Sequence, residues 1–571
     1  MKNYFATIVL GLICAVCLIG CSKDAPSQKV LDGGITYISL NLDASYLLDA
    51  ENPVIKSASS GKYLSQNKAT TTTKFNASFY SEFTLEETNR NTSKFASFKS
   101  VKLNKLSAKE GTTMPTDTNN PKYKKMEVGV KYMVLIFDHE DNHVGSSLAT
   151  VGEETRVPVR YNENYELTTN NYYRIVAFTF NTKDAAHFDG LSLDPSQTNN
   201  NPQIVFPSDK EFYYHNSDFL LDPKANYENP PILNVIFFPQ TVRVGITVDA
   251  RGVDANVKKV SGSFSSFGYR KTARFGLKLN RIVEKIDLDE SAFPYDFTIV
   301  GDHDSLSISR FVYMDLKDGT AELSNFNVVL KELVLQRKGD AKETTVLTSP
   351  ATKSYNFGNI NLTKGKYFNG RINLFSGFQL GNVIWSYGNL YYDAADTTNA
   401  QYKFRNDPSE GYKTLTDYWV HNKQFPRSES SGGADMDPCT LVYPGGWRMP
   451  TKGEAEMINL TDKDYISSYN FVDATGDSDE RNFDYLALNN NLGQQIKFYA
   501  FGMRDGLVYS GEGVDGLFWT STSKLRTQAD ILRITITSTG DKESNGSIKY
   551  PDFVVSSVRG LNIRCVRELR N

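Results

Sequence analysis

The chain has 571 residues, and its 63 Lys and Arg residues against 66 Asp and Glu residues leave a net charge of only −3. That balance provides no basic surface of the kind that binds nucleic acid, so we expect no nucleic-acid partner. The length predicts about three or four domains. Aromatic residues make up 12% of the chain, and with many Asn, Ser and Thr residues this is typical of extracellular β-structure.

The start of the chain predicts an export signal. Residues 1–3 are a short basic start, and residues 4–19 are almost wholly apolar but too few to span a bilayer comfortably. Leu18-Ile19-Gly20-Cys21 then resembles the lipobox of bacterial lipoproteins, whose cysteine becomes the lipidated first residue. We therefore expect residues 1–21 to be a lipoprotein signal peptide, Cys21 to be lipidated, and residues 22–34 to form a tether. An ordinary secretory signal is the alternative.

Export would place the rest of the chain in an oxidising compartment. Beyond the leader the sequence contains only two cysteines, Cys439 and Cys565. Two thiols are too few for a metal cluster, and in such a compartment they favour one disulfide.

Patterns of period two dominate residues 35–375. The first series includes an alternating segment at 38–43 and two apolar runs at 132–137 and 172–180, followed by an asparagine-rich loop at 196–202. A second series has its strongest segments at 241–248, 311–316, 328–335 and 368–375. Many short strands separated by polar turns predict two β-sandwich domains, over residues 35–200 and 201–375.

Residues 131–138 together with 172–181 resemble the amino-terminal domain of the fimbrillin family, and residues 238–248 resemble the opening of its second domain. That family contains pilus subunits and pilus-like lipoproteins of Gram-negative gut and oral anaerobes, built from two transthyretin-like sandwiches in tandem. The resemblance implies that a protease removes the first strand. The next subunit's carboxy-terminal strand then fills the groove, which is strand addition.

The same resemblance implies a processing site. The family's protease prefers arginine, and Arg90 is the first arginine of this chain, within the polar, turn-like segment 87–92. We expect Arg90 to be the candidate processing site. Lys94 is a second candidate, and the alternative is that Arg90 is an ordinary exposed arginine.

The last third of the chain differs from everything before it. It contains all four tryptophans and both remaining cysteines. Thr451 and Glu454 form a capping box, and the apolar residues after them predict a short helix. Four motifs, at 437–439, 446–452, 519–522 and 564–567, resemble in this order the major-paralogous domain family, which is related to C-type-lectin-like folds.

The predicted fold class is therefore mostly β: two tandem transthyretin-like β-sandwich domains followed by an α+β C-type-lectin-like domain over residues 376–571. In that last domain, Cys439 and Cys565 occupy the places of a structural bridge to the final strand. No cysteine pair is then left for redox chemistry, and we expect no enzymatic activity and no cofactor.

Three groups of residues could hold a ligand. Tyr418, Trp419 and Tyr509 could stack on a glycan, although packing in the core is the preferred alternative. His139 and His143 suggest a metal site, but a simple hairpin turn is the preferred interpretation. An acidic loop offers oxygen ligands for calcium, or is simply solvated, and comprises Asp473, Asp477, Asp479, Glu480 and Asp484. We predict no metal site from these patterns.

The function predicted from these features is that of a fimbrial tip or accessory adhesin at the cell surface, on the outer membrane or at the end of a fimbrium. Cys565, bridged within a folded domain, would keep the final strand from being donated, so the subunit would accept a strand without giving one. Expected partners are other pilin subunits and a surface ligand, for example a glycan. The alternatives are a non-polymerising surface glycan-binding lipoprotein and a cell-surface enzyme that uses the terminal domain.

Overall fold

A computed structural model describes much of the chain. The described residues are 37–47, 71–74, 79–87, 123–153, 155–158, 172–188, 203–207, 211–220, 232–265, 272–277, 281–286, 295–312, 320–323, 326–363, 367–396, 400–412, 414–426, 434–458, 463–466, 485–490, 494–525, 528–538, 544–549 and 554–569. Cys21, Arg90, Lys94 and the acidic loop at 473–484 lie outside them.

Strands make up most of the described structure. In chain order the first are β1 (Tyr37–Leu47), β2 (Thr71–Lys74), β3 (Phe79–Glu87), β4 (Tyr123–Lys125), β5 (Lys131–Phe137), β6 (His143–Thr150), β7 (Thr155–Pro158), β8 (Tyr172–Thr182), β9 (Gln203–Pro207), β10 (Tyr213–Leu220), β11 (Ile232–Pro239) and β12 (Val242–Asp249). They are followed by β13 (Ala255–Ser265), β14 (Thr272–Gly276), β15 (Arg281–Ile286), β16 (Tyr295–His303), β17 (Ser305–Val312), β18 (Thr320–Leu323), β19 (Asn327–Arg337), β20 (Glu343–Leu347), β21 (Lys353–Asn356), β22 (Ile360–Thr363) and β23 (Tyr367–Ser376).

The terminal module, residues 376–571, adds shorter elements. Its strands are β24 (Phe378–Leu380), β25 (Val383–Trp385), β26 (Leu390–Tyr392), β27 (Tyr402–Phe404), β28 (Trp447–Arg448), β29 (Lys463–Ile466), β30 (Tyr485–Asn489), β31 (Gln495–Tyr499), β32 (Met503–Asp505), β33 (Val508–Ser510), β34 (Asp515–Leu525), β35 (Gln528–Ser538), β36 (Ser544–Lys549), β37 (Val554–Ser556) and β38 (Val566–Glu568). Helix α1 is Lys452–Met457, and 3₁₀ turns lie at Ala185–Phe188, Arg251–Val253, Leu415–Asp417 and Pro438–Leu441. The predicted mostly β fold is confirmed.

The chain divides into two compact units. Unit 1 contains an eight-stranded sheet in the order β4-β1-β11-β10-β8-β5-β6, with β7 also paired to β1. Strand β1 runs parallel to β11 and antiparallel to β7, so it lies inside the sheet. The apolar run at 132–137 forms β5, which lies between β8 and the edge strand β6. Its Tyr132, Val134 and Ile136 are fully buried because alternate residues face one core.

Unit 2 contains two five-stranded sheets that face each other, and we call this pair the second sandwich. One has the order β17-β12-β23-β3-β2, and the other has β16-β13-β19-β20 with β21 also paired to β19. The alternating apolar residues of β12 and β13 enter one shared core with those of β19 and β23, including Val244, Ile246, Val260, Leu333 and Ile372. This shared burial is what the period-two pattern predicts for facing sheets.

The division into two units does not follow the domain boundaries predicted at residues 200 and 375. Strands β10 and β11 belong to unit 1, although they lie beyond residue 200. Strand β3 belongs to unit 2, although it lies far before that residue. The terminal module and the second sandwich share unit 2. Period-two patterns identify a strand but not its partner, so these long-range exchanges could not be predicted.

The terminal module folds around short sheets and one helix. Strand β38 lies inside a four-stranded sheet in the order β24-β25-β38-β28. A second four-stranded sheet has the order β34-β35-β36, with β37 also paired to β35. Among the described residues, none of the helices is long and apolar enough to cross a membrane.

Candidate functional site

The four tryptophans hold the terminal module together. Trp385, Trp419, Trp447 and Trp519 are each at most 2% exposed. Trp419 donates its indole N–H to the Leu390 carbonyl at 3.0 Å, and Trp519 donates to the Trp419 carbonyl at 2.6 Å. Their large buried apolar surfaces make them core residues and remove them as ligand contacts.

A disulfide joins Cys439 to Cys565 across 126 residues of sequence. Both cysteines are fully buried. Cys565 immediately precedes β38, which pairs with β25 on one side and β28 on the other. The last described strand is therefore held by a covalent bond and by hydrogen bonds along both of its edges.

Helix α1 begins with the predicted capping box. Thr451 Oγ1 accepts the Glu454 N–H at 3.3 Å, and Glu454 Oε2 accepts the Thr451 N–H at 2.8 Å. Arg448 also donates two hydrogen bonds to the Glu454 carboxylate, at 2.6 and 2.7 Å. Burial raises the pKa of Glu454, but the bonds from Arg448 and Thr451 outweigh burial, and the net pKa is lowered.

Buried polar contacts join the terminal module to the second sandwich. The Tyr443 hydroxyl lies 2.6 Å from Asp249 Oδ2 and 2.8 Å from Asn373 Oδ1. Asp249 is fully buried and also accepts hydrogen bonds from Arg251, at 2.7 Å, and Arg371, at 3.1 Å. Two guanidinium groups thus compensate the buried carboxylate.

A second contact between these parts is Lys403 on β27. Its ammonium lies 2.7 Å from Asp396, 3.1 Å from Asp393 and 3.4 Å from Asp254. Burial lowers the pKa of Lys403, but the three carboxylates outweigh it, so the net pKa is raised and the ammonium stays charged. Asp254 follows a 3₁₀ turn of the second sandwich, so this lysine links the two parts.

The three aromatic residues considered for glycan stacking lie together, but two of them are in the core. Tyr418 and Trp419 are 0% exposed. Tyr418 donates to the Phe501 carbonyl at 3.0 Å, and its ring packs edge-on against Tyr509 at 5.4 Å. Tyr509 is half-buried. Core packing, the preferred interpretation of the sequence, therefore describes Tyr418 and Trp419.

An exposed apolar group lies beside these aromatics. The β32–β33 hairpin presents Leu507, 86% exposed, and Val508, 67% exposed, while Val558 on a neighbouring turn is 60% exposed. Arg504 and Gly560 exchange two backbone hydrogen bonds of 2.8 Å, which fixes that turn against the hairpin. We call Leu507, Val508 and Val558 the apolar tip.

Sequence reasoning missed the apolar tip. Asp505-Gly506 is a hairpin signal, and the positive φ of Gly506, 63°, is the conformation that a glycine adopts most readily. The turn was therefore recognisable. That the aliphatic residues after it point to solvent depends on the tertiary structure.

The two histidines considered for metal binding lie at a hairpin. His139 is exposed in the turn after β5, and His143 begins β6, with its ring 5.7 Å from Phe137. Within the described residues, no group of three or more His, Cys, Asp or Glu residues is placed to hold a metal ion.

No family model matches this chain, and no curated protein matches it. Solved structures similar to it include the fimbrial anchor protein Mfa2 from Porphyromonas gingivalis, with 14% identity over 38% of this chain and 75% of that chain at a TM-score of 0.20. A fimbrial assembly protein from Parabacteroides distasonis has 12% identity over 44% and 83%, at a TM-score of 0.21. A fimbrial protein from Bacteroides vulgatus has 9% identity over 44% and 92%, at 0.24. Similarities at TM-scores this low carry no argument about function.

Proposed function

We propose that this protein is a surface adhesin of the fimbrial type, placed at the tip of a pilus or as an accessory subunit, with the terminal module as its binding head. The observation that carries the proposal is the position of β38. A strand that another subunit is to bind must leave its own sheet. Strand β38 is paired on both edges, and Cys565 beside it is bridged to Cys439.

Extracting β38 would also break a buried ion pair. Arg567 on this strand is 4% exposed, forms an ion pair with Glu82 of β3, and donates to the Gly445 carbonyl at 2.6 Å. Breaking a buried ion pair is strongly destabilising because it leaves an uncompensated charge. Strand β38 is therefore unsuited to donation, and this supports a subunit that ends a filament.

The apolar tip supports a binding role for the terminal module. Leu507, Val508 and Val558 expose aliphatic surface on a hairpin that is fixed by hydrogen bonds. Large exposed apolar patches often mark interaction sites. We propose that this surface contacts the ligand, and that Cys21 anchors the subunit to the outer membrane before assembly.

Antibody labelling tests the tip position. An antibody against residues 376–571 is expected to mark only the ends of surface filaments. Regular labelling along the shaft would mean that the subunit polymerises, and the tip position would have to be abandoned. Full-length lipidated protein on cells that carry no filament would instead favour a non-polymerising surface lipoprotein.

A further inference from the structure

Strand β3 is a strand of unit 2 supplied by a distant part of the chain. It pairs antiparallel with β23 over nine residue pairs, from Phe79 opposite Ser376 to Glu87 opposite Phe368. Its other edge pairs with β2. The next described strands along the chain, β4 to β8, all belong to unit 1.

One face of β3 enters the core of the second sandwich. The Ser81 hydroxyl lies 2.9 Å from the Tyr355 hydroxyl, and the Phe83 ring packs edge-on against Tyr355 and Phe357. Tyr355 lies on β21, in the opposite sheet. Ser81 and Phe83 thus join the two sheets through this strand.

The other face of β3 contacts the terminal module, as the alternation of side chains along a strand requires. Tyr80 is 1% exposed, stacks against Phe375 at 5.7 Å and accepts a hydrogen bond of 3.4 Å from Gln494. Glu82 is 8% exposed and forms an ion pair with Arg567 of β38. Arg567 also lies over the Phe375 ring, 4.4 Å from its centroid.

We infer that β3 is bound by the second sandwich and the terminal module together, so that a chain cut between β3 and β4 yields two pieces that remain assembled. We call this arrangement the β3 clasp: the pairing with β23, the contacts of Ser81 and Phe83, and the contacts of Tyr80 and Glu82 with Gln494 and Arg567. Loss of β3 would leave Arg567 buried without its carboxylate and would remove Tyr80 and Phe83 from two cores.

The β3 clasp has a consequence for processing, which rests on the proposed function. A cut at Arg90 would separate residues 21–90, including the proposed lipid site Cys21, from the rest of the chain. With β3 still bound, the cut protein stays on its lipid anchor. Proteolysis alone therefore neither releases the adhesin nor exposes the edge of β23 that β3 covers.

The experiment uses the chain from Ser22 with specific protease sites inserted between residues 55 and 65 and between residues 95 and 105, so that the piece with β2 and β3 is also cut from β1, which pairs within unit 1. After complete cutting, gel filtration in native buffer separates pieces that have dissociated, and denaturing electrophoresis of each fraction identifies them. We expect the piece with β2 and β3 to co-elute with the remainder. Its appearance in a separate peak for the wild-type sequence would overturn the inference.

Two variants test the role of the terminal module. Glu82→Gln removes the charge opposite Arg567 and should speed dissociation of the cut piece at least about tenfold. Thr84→Val, on the same face of the same strand and half-buried, is the matched control and should change that rate little. Equal rates for the two variants would mean that the terminal module does not hold β3. Because the readout is dissociation of the cut pieces, it is independent of whether the protein occupies a pilus tip.

Discussion

Tyr443 of the terminal module points its hydroxyl at Asp249 of the second sandwich, 2.6 Å away, in a region where the carboxylate has no exposure to solvent. The Arg251 guanidinium lies over the Tyr443 ring, 4.0 Å from its centroid. Burial, and next the charge of Asp249, raises the pKa of the Tyr443 hydroxyl, so it stays protonated as a donor. These contacts fix the terminal module to the second sandwich.

Tyr443→Phe is expected to lower the free energy of unfolding of unit 2 by about 1.5–3 kcal/mol, because a hydrogen bond to a charged group contributes that much. Denaturant unfolding of the mature protein measures this. Tyr172→Phe is the control, since Tyr172 lies in unit 1 and is 56% exposed. Equal stabilities of the two variants would show that the Asp249 contact adds little.

Replacing Cys439 and Cys565 by Ala should lower the stability of the terminal module by about 4–5 kcal/mol in the chain-entropy model, because the bridge closes a loop of 126 residues. Thermal unfolding with and without a reductant checks the magnitude. Peptide mapping of the native wild type under non-reducing conditions should give one linked pair. Two free thiols in that sample would contradict the bridge.

Glu454 is expected to make the terminal module sensitive to acid. Its folded-state pKa lies below the ordinary 4.5, so its contribution is fully present above that pH and is lost as the pH falls through the lowered value. Glu454→Gln should remove this part of the dependence below about pH 4.5. Thermal midpoints of both proteins from pH 7 to pH 3 test it, and parallel curves would contradict the assignment.

The double variant Leu507→Ser with Val508→Ser should reduce adherence about tenfold or more, the effect of losing about 1.4 kcal/mol at a binding contact. Stability should change little because both side chains already face solvent. Adherence of cells bearing each variant measures this. Val300→Ser, at a 74% exposed site of the second sandwich, is the matched control. If both strains adhered as wild type does, the apolar tip would not be the contact surface.

Cys21→Ala should leave the protein without acyl chains and therefore soluble in the periplasm, because the acyl chains supply the membrane affinity. Cell fractionation with mass analysis of the amino terminus reports both properties. A membrane-bound variant that carries no acyl chain would refute the lipid anchor.

Local signals were enough to predict the elements that depend only on residues close to each other in the sequence. Thr451 and Glu454 lie three residues apart, and the capping box needs only that spacing and a helix after it. The apolar run at 132–137 likewise predicted β5, because a short continuous run of apolar side chains favours a buried strand whichever strands it pairs with. The disulfide was predictable for another reason: once the leader was set aside, Cys439 and Cys565 were the only cysteines left to pair.

Only the tertiary structure decided which distant segments meet. Glu82 lies in a strand pattern that reveals neither β23 as its neighbour nor Arg567, nearly five hundred residues later, as its ion-pair partner. The sequence favoured core packing for Tyr418 and Trp419 but did not decide it, since aromatic residues also occur on binding surfaces. Side-chain alternation along a strand has a period of two wherever the strand pairs, so it identifies a buried face but not the partner that covers it. That partner is set by long-range packing, which here places β3 between the second sandwich and the terminal module.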